Sequence, residues 1–168
     1  MKYFLKSILA TIIFFTVNAT AFADVKIAVI DMREVLQKAP QMSAISSDLQ
    51  KQFKPREAKM VEAQKQLQAK IEKLNRDASV MNEKDRNELQ NKIISEKATL
   101  SGMAASFQQD LNNEQGKSMQ NLMKQIQAIV SDIGAKNKYT AILLKDATLY
   151  IDSSLNITSQ VIQQLSKK

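Results

Sequence analysis

MVEAQKQLQAKIEKLNRDASVM, residues 60–81, is the stretch on which the fold turns. Met60, Gln64, Leu67, Ile71, Leu74, Ala78 and Met81 recur at alternating steps of four and three, the period of a coiled-coil seam with one polar member. Upstream, Met42, Ile45, Leu49 and Phe53 are spaced three, four and four, and Pro40 is a natural first residue for a helix. Pro55 interrupts the run: it lacks an amide donor and crowds the preceding turn, so the spacing predicts a kink or a restart there.

Past Met81 the period breaks around residues 79–83, and Asn82 followed by Asp85 reads as an N-cap with an acidic third position. A second seam follows in Leu89, Ile93, Glu96, Leu100, Met103, Phe107 and Leu111. It pauses over the polar stretch Asn112–Ser118 and resumes through Met119, Leu122, Ile126, Ile129 and Ile133, with Gly134 as terminator. Glu72–Arg76 and Glu88–Lys92 have favourable spacing for surface ion pairs. Two seams joined at a bend predict an antiparallel helical hairpin over 41–134, about 60 Å long at 1.5 Å per residue. Met60, Met81, Met103 and Met119 all lie on it; each reads first as seam filler, and together they give a flexible, polarisable surface suited to varied partners.

The flanks have another character. KIAVID, residues 26–31, is β-branched and apolar on both alternating faces, as in a strand covered on both sides, and Met32–Lys38 reads as a short helix. Near the other end, Tyr139–Leu144 and Thr148–Ile151 read as two strands joined by a tight turn at Lys145–Ala147. Asn156 is placed to cap a last amphipathic helix with Ile157, Val161, Ile162 and Leu165 on one face. The hairpin brings residues 26–31 level with 130–135, so residues 24–40 and 135–168 form one base. Three short strands are a marginal core with open edges, and one terminal helix covers only one face. Repeating the sheet about a symmetry axis would close it into a barrel-like base, with Ile27, Val29, Ile142, Leu144, Leu149 and Ile151 as candidates for the contact between copies. A monomeric core under the terminal helix is the competing arrangement. The fold class is α+β, mostly α.

Residues 1–23 read as a secretory leader: Lys2 and Lys6, the apolar run Ile8–Val17, then Ala21-Phe22-Ala23 as a cleavage site. Its apolar core is short for crossing about 30 Å of hydrocarbon, so the expectation is a soluble exported chain beginning at Asp24. The 168 residues include no His, no Cys and three Gly, which leaves no imidazole base, thiol nucleophile or usual zinc set, and too few glycines for most phosphate loops. Glu72 and Glu88 sit at exposed helical positions rather than in a pocket. An enzyme is disfavoured, and no catalytic, cofactor or metal residues are assigned. The net charge of +7 is spread over 20 Lys and 4 Arg without a dense block, unlike a nucleic-acid binder. The surplus is concentrated in 41–81 and gives a mild field suited to acidic proteins or anionic lipid head groups.

The opening strand KIAVIDM, the long helical arms, AILLKDATLYI and the terminal NITSQVIQQL, in that order behind a leader, resemble the periplasmic chaperone family known as Skp or OmpH. The resemblance spans nearly the whole mature chain. It implies a homotrimer shaped like a jellyfish, with a β-barrel base and three antiparallel coiled-coil arms. It further implies an ATP-independent holdase that keeps unfolded outer-membrane β-barrel proteins from aggregating in the periplasm, without a cofactor. On that reading Met60, Leu67, Ile71, Leu74, Met81, Leu100, Met103 and Phe107 are seam and client-facing positions, and Pro55 is a kink in the arm. Relatives have been assigned a basic lipopolysaccharide patch on the second helix. Here Asp110–Gly116 reads DLNNEQG with no basic residue, so that contact is not carried over, and an anionic lipid or lipopolysaccharide contact rests on the mild positive field alone. A structural coiled-coil spacer of the envelope is the alternative, but a spacer needs long parallel heptads without a bend and usually an anchor.

Overall fold

The computed structural model describes residues 25–167; the leader assigned to residues 1–23 lies outside the described residues. Strand β1 (Ile27–Ile30) leads into helix α1 (Met32–Lys38), whose first turn is capped by the Asp31 carboxylate accepting from the Glu34 amide at 3.0 Å. Ala39 is extended, as the residue before a proline is biased to be. Helix α2 then runs from Pro40 to Asp77 and helix α3 from Glu83 to Asn137. They fold back on each other through a turn in which the Asn82 side chain accepts from the Asp85 amide at 2.9 Å. Strand β2 (Ala141–Leu144), two short 3-10 turns (Lys145–Ala147 and Ser153–Leu155) and helix α4 (Thr158–Leu165) complete the chain.

β1 and β2 pair in parallel, Ile27 with Ala141 through Ile30 with Leu144, across the whole length of the arm. The other edge of β1 is met at Val29, whose carbonyl accepts from the Ile157 amide at 2.9 Å beside a bridge to Asn156. β1 is therefore the central element, and Ala28, Val29 and Ile30 are all buried. Val35, Ile126, Ile129, Ile133, Val161 and Leu165 pack around it and form the core. Thr158, also buried, accepts from the Asp31 amide at 2.8 Å through its hydroxyl, tying α4 to the α1 cap. Asn156 turns the chain into α4 by accepting from the Thr158 amide at 3.0 Å.

Several expectations are corrected. The predicted hairpin in the tail is absent: β2 takes β1 as its partner, and Thr148–Ile151 has no strand partner among the described residues, with Leu149 and Tyr150 pointing into solvent. A β-branched run specifies an extended chain but not which edge it joins, and β1 offered the better-buried edge. Among the described residues the sheet has two strands, not three. Gly134 does not end α3; the helix continues to Asn137 and stops where Lys138 takes a left-handed φ of 56°. A Cβ at Gly134 would stand 3.4 Å from Ile142 Cδ1, an ordinary contact with the end of a side chain, so Gly134 is simply an interior residue of the last turns. Helix α2 does not restart at Pro55, and α3 runs unbroken through Asn112–Ser118, the stretch in which its seam has no apolar member. Proline costs a helix one hydrogen bond, and packing of the flanking turns on the opposite helix outweighs that loss. Arg76 pairs with adjacent Asp77 at 2.9 Å instead of with Glu72.

Thr158→Val keeps the shape but orphans the Asp31 amide, so the urea midpoint should fall by an amount equivalent to about 1–3 kcal/mol. Asp31 is held below the ordinary carboxylate value of 3.8, first by the Glu34 amide and then by the Lys145 ammonium. A depressed folded value means its stabilisation is complete above that ordinary value and disappears as pH falls through the lower folded one. Asp31→Asn, which can still cap but carries no charge, should be less stable than the parent at neutral pH and converge with it towards pH 2, so its stability falls less between about pH 5 and pH 2. Unfolding curves at both ends of that range provide the check.

Candidate functional site

The arm is held by one seam. Leu67 is buried, while Met60, Ile71, Leu74, Met81, Leu100, Met103 and Phe107 are half-buried between or beside the two helices. Gln64, the expected polar seam member, is exposed, and Ala63 takes its place. The covered positions step by three residues rather than four at that point, from Met60 to Ala63. Burial grades along the arm. At the base Leu122, Ile126, Ile129 and Ile133 are enclosed, whereas towards the turn Ile93 and Leu89 are only half covered. Two helices can bury one stripe each, and only the base adds further layers.

Midway along, a cluster joins the helices. Phe53 and Phe107 meet edge to face, with centroids 5.5 Å apart and planes at 87°. The Arg56 guanidinium lies 5.4 Å from the Phe53 centroid and 5.9 Å from that of Phe107, and it donates to Asp110 at 2.8 Å. That hydrogen bond is the main cause holding the Asp110 carboxyl below its usual range, against a smaller opposing effect of burial. Nearer the turn, Lys70 and Glu96 pair at 2.6 Å. Glu96, read as part of the second seam, thus contributes through charge. Pro55 sits one residue before Arg56, on an exposed part of the same turn.

Beside this cluster opens a hollow of about 420 Å³. Met60, Met103 and Phe107 give it an apolar floor, Arg56 and Lys59 a cationic rim, and Gly102 and Ser106 its remaining wall. Three of the residues expected along the seam are thereby brought together; Ile71, Leu74 and Met81 lie further along the arm and do not join them. Sequence reasoning missed Arg56, which had counted only towards the basic surplus. Its position three residues after Phe53, in a chain that is 5% aromatic, was the available signal.

The base presents a second surface. Of the candidates for contact between copies, Leu144 and Leu149 are exposed, Ile27, Ile142 and Ile151 are half-buried, and Val29 is enclosed by its own chain. Leu143, Tyr150 and Met123 are exposed apolar residues not singled out from the sequence. A hollow of about 470 Å³ on this side is lined by Ile30, Met32, Met123, Val130, Ile142 and Leu144. Among the described residues no group of three acidic, His or Cys side chains could hold a metal ion, and no helix is long and apolar enough to cross a membrane.

Comparison with known proteins gives consistent matches. The family described as outer membrane protein (OmpH-like) matches residues 26–165. The chaperone protein Skp of Yersinia enterocolitica is 30% identical over 140 residues, covering 83% of this chain and 85% of its own. Skp of Yersinia pestis is 31% identical over 148 residues, 88% of this chain and 90% of its own. Skp of Escherichia coli K12 is 28% identical over 145 residues. In fold, the chain is similar to the crystal structure of an OmpH-like outer membrane chaperone from Caulobacter crescentus, with a TM-score of 0.76 at 10% identity and 84% of this chain covered.

Because the arm hangs on a single seam, Phe53→Ala should loosen it locally, by about 3 kcal/mol. Amide exchange around residues 50–60 and 103–111 should accelerate roughly a hundredfold while amides of α4 are unchanged. The half-exposed Arg56–Asp110 pair should show a coupling below about 1 kcal/mol in a double-mutant cycle.

Proposed function

The chain belongs to the Skp/OmpH family of outer membrane chaperones, and from that premise we propose that it is an ATP-independent periplasmic holdase for unfolded outer-membrane β-barrel proteins. The observation that carries this reading is the arm itself. It projects a seam that its own two helices leave half-covered, over about 57 Å of α2. An unfolded barrel strand alternates apolar and polar side chains and aggregates readily in water. Many weak contacts along such an arm suit that client better than one deep pocket does, because they sum through effective concentration and release without an energy source. The cationic surplus of 41–81 would favour acidic segments.

A cavity needs more than one arm, and the base supplies a reason for copies to join. Among the described residues β2 has an unpaired outer edge, and Thr148–Ile151 is a segment without a strand partner, carrying Leu149 and Tyr150 into solvent. One chain does not pair the two. In a closed ring of three, the segment of one copy would reach the edge of the next, covering the apolar hollow at Ile30, Met123 and Ile142. The arms would then surround a common space. In the cell, the leader at residues 1–23 would direct the chain to the periplasm and be removed near Ala23.

Native mass measurement should give three times the mass of one processed chain, and Leu149→Asp should shift it to a single chain at micromolar concentration. A urea-unfolded outer-membrane barrel diluted into buffer should scatter light strongly alone and far less with excess chaperone. Unchanged scattering at excess would end the holdase reading.

A further inference from the structure

We infer that the mid-arm hollow beside Arg56 seats one aromatic side chain of an unfolded polypeptide, with a carboxylate next to that residue held by Lys59. The inference rests on the chaperone reading and gives one of its contacts a place on the arm.

Three features of the hollow argue for this occupant. Its volume of about 420 Å³ stands at the small end of ligand sites and has room for a side chain and its neighbour. Its floor is Met60 from α2 with Met103 and Phe107 from α3. Thioether sulfurs favour the edges of aromatic rings, and a ring also packs well edge to face against Phe107. Its rim is cationic but unevenly committed. Arg56 is fixed by Asp110, which also accepts from Ser106 at 3.3 Å. Lys59 has no ion-pair partner among the described residues, so its ammonium is the charge available to an incoming carboxylate.

Gly102 supplies the independent observation. It lies in the middle of α3, where glycine weakens a helix. Its φ is not positive, and a Cβ built there meets nothing within 4 Å. Neither backbone geometry nor crowding accounts for glycine at this position. What the missing side chain does is leave the wall of the hollow open. Gly116 is equally unobstructed but stands about 21 Å further along the helix, which makes it the control position.

The test uses the full processed chain with isotope-labelled methionine methyl groups and a short soluble peptide carrying Tyr beside Asp. Met60 and Met103 resonances should move on titration while Met32 at the base does not. Gly102→Phe, and separately Ser106→Phe, whose side chain leans back over Gly102, should plug the hollow and weaken the peptide at least about tenfold. Gly116→Phe should bind as the parent does. Replacing the peptide's Tyr with Leu, or its Asp with Lys, should each weaken binding. Undiminished binding to both plugged variants, or a response to an anionic alkyl amphiphile but not to the peptide, would overturn the assignment. Light scattering of an unfolded barrel, run beside it, reports on the chaperone reading alone. Peptide binding without suppression keeps the hollow and ends the holdase; suppression without peptide binding does the reverse.

Discussion

A strand of four residues, Ile27–Ile30, holds the molecule together by lying between two segments that are distant in sequence. One edge takes β2, which follows the arm, and the other takes the Asn156–Ile157 backbone, which leads into α4, so the returning arm and the terminal helix are fastened to one element. Each hydrogen bond in a parallel pair is modest. The pairing matters because it closes the long excursion through α2 and α3 and brings Ile126, Ile129 and Ile133 against Val161 and Leu165. Thr158 and Asp31 carry the same connection through a buried hydroxyl and a helix cap. Without this clamp, the two helices would have only their shared stripe.

The gradient of burial follows from that constraint. At the base, helices, strands and α4 enclose residues from all sides; along the arm each helix has one neighbour. Local stability should fall towards the turn at Asn82, and a surface that must accept unlike sequences benefits from side chains that can rearrange. The mid-arm cluster of Phe53, Phe107 and Arg56 interrupts this gradient by fixing the two helices to each other near Pro55. The continuity of α2 through that proline is understandable in these terms: the helix is held from its flank just where its own hydrogen bonding is weakest.

Much of the fold was legible because periodicity is a local property. The seams from Leu67 to Leu74 and from Leu89 to Leu111, the Asn82 cap and the start at Pro40 are each written within a few residues. What was illegible depended on partners. The run Thr148–Ile151 looks like a strand, but nothing in it names the edge it should join, and β2 chose β1. The choice between Gln64 and Ala63 is one between steps of four and three, and only the opposite helix settles it. Lys138 adopts a left-handed backbone that sequence would sooner grant to Gly134. The Arg56 cluster needs the register between helices, which no single helix encodes. At the base, the alternation that marked Leu144 and Leu149 could not show that Val29 is enclosed by its own chain.

The parallel pairing of β1 with β2 also sets an order of events. A chain delivered from its N-terminus presents Ile27–Ile30 first, yet the partner strand arrives only after the entire hairpin has followed. Contacts so far apart in sequence form late, whereas the hairpin can nucleate at its Asn82 cap and zip through neighbours close in the chain. The earliest apolar strand therefore waits unpaired for the longest time, and the newborn chain passes through an interval in which its own central strand is exposed.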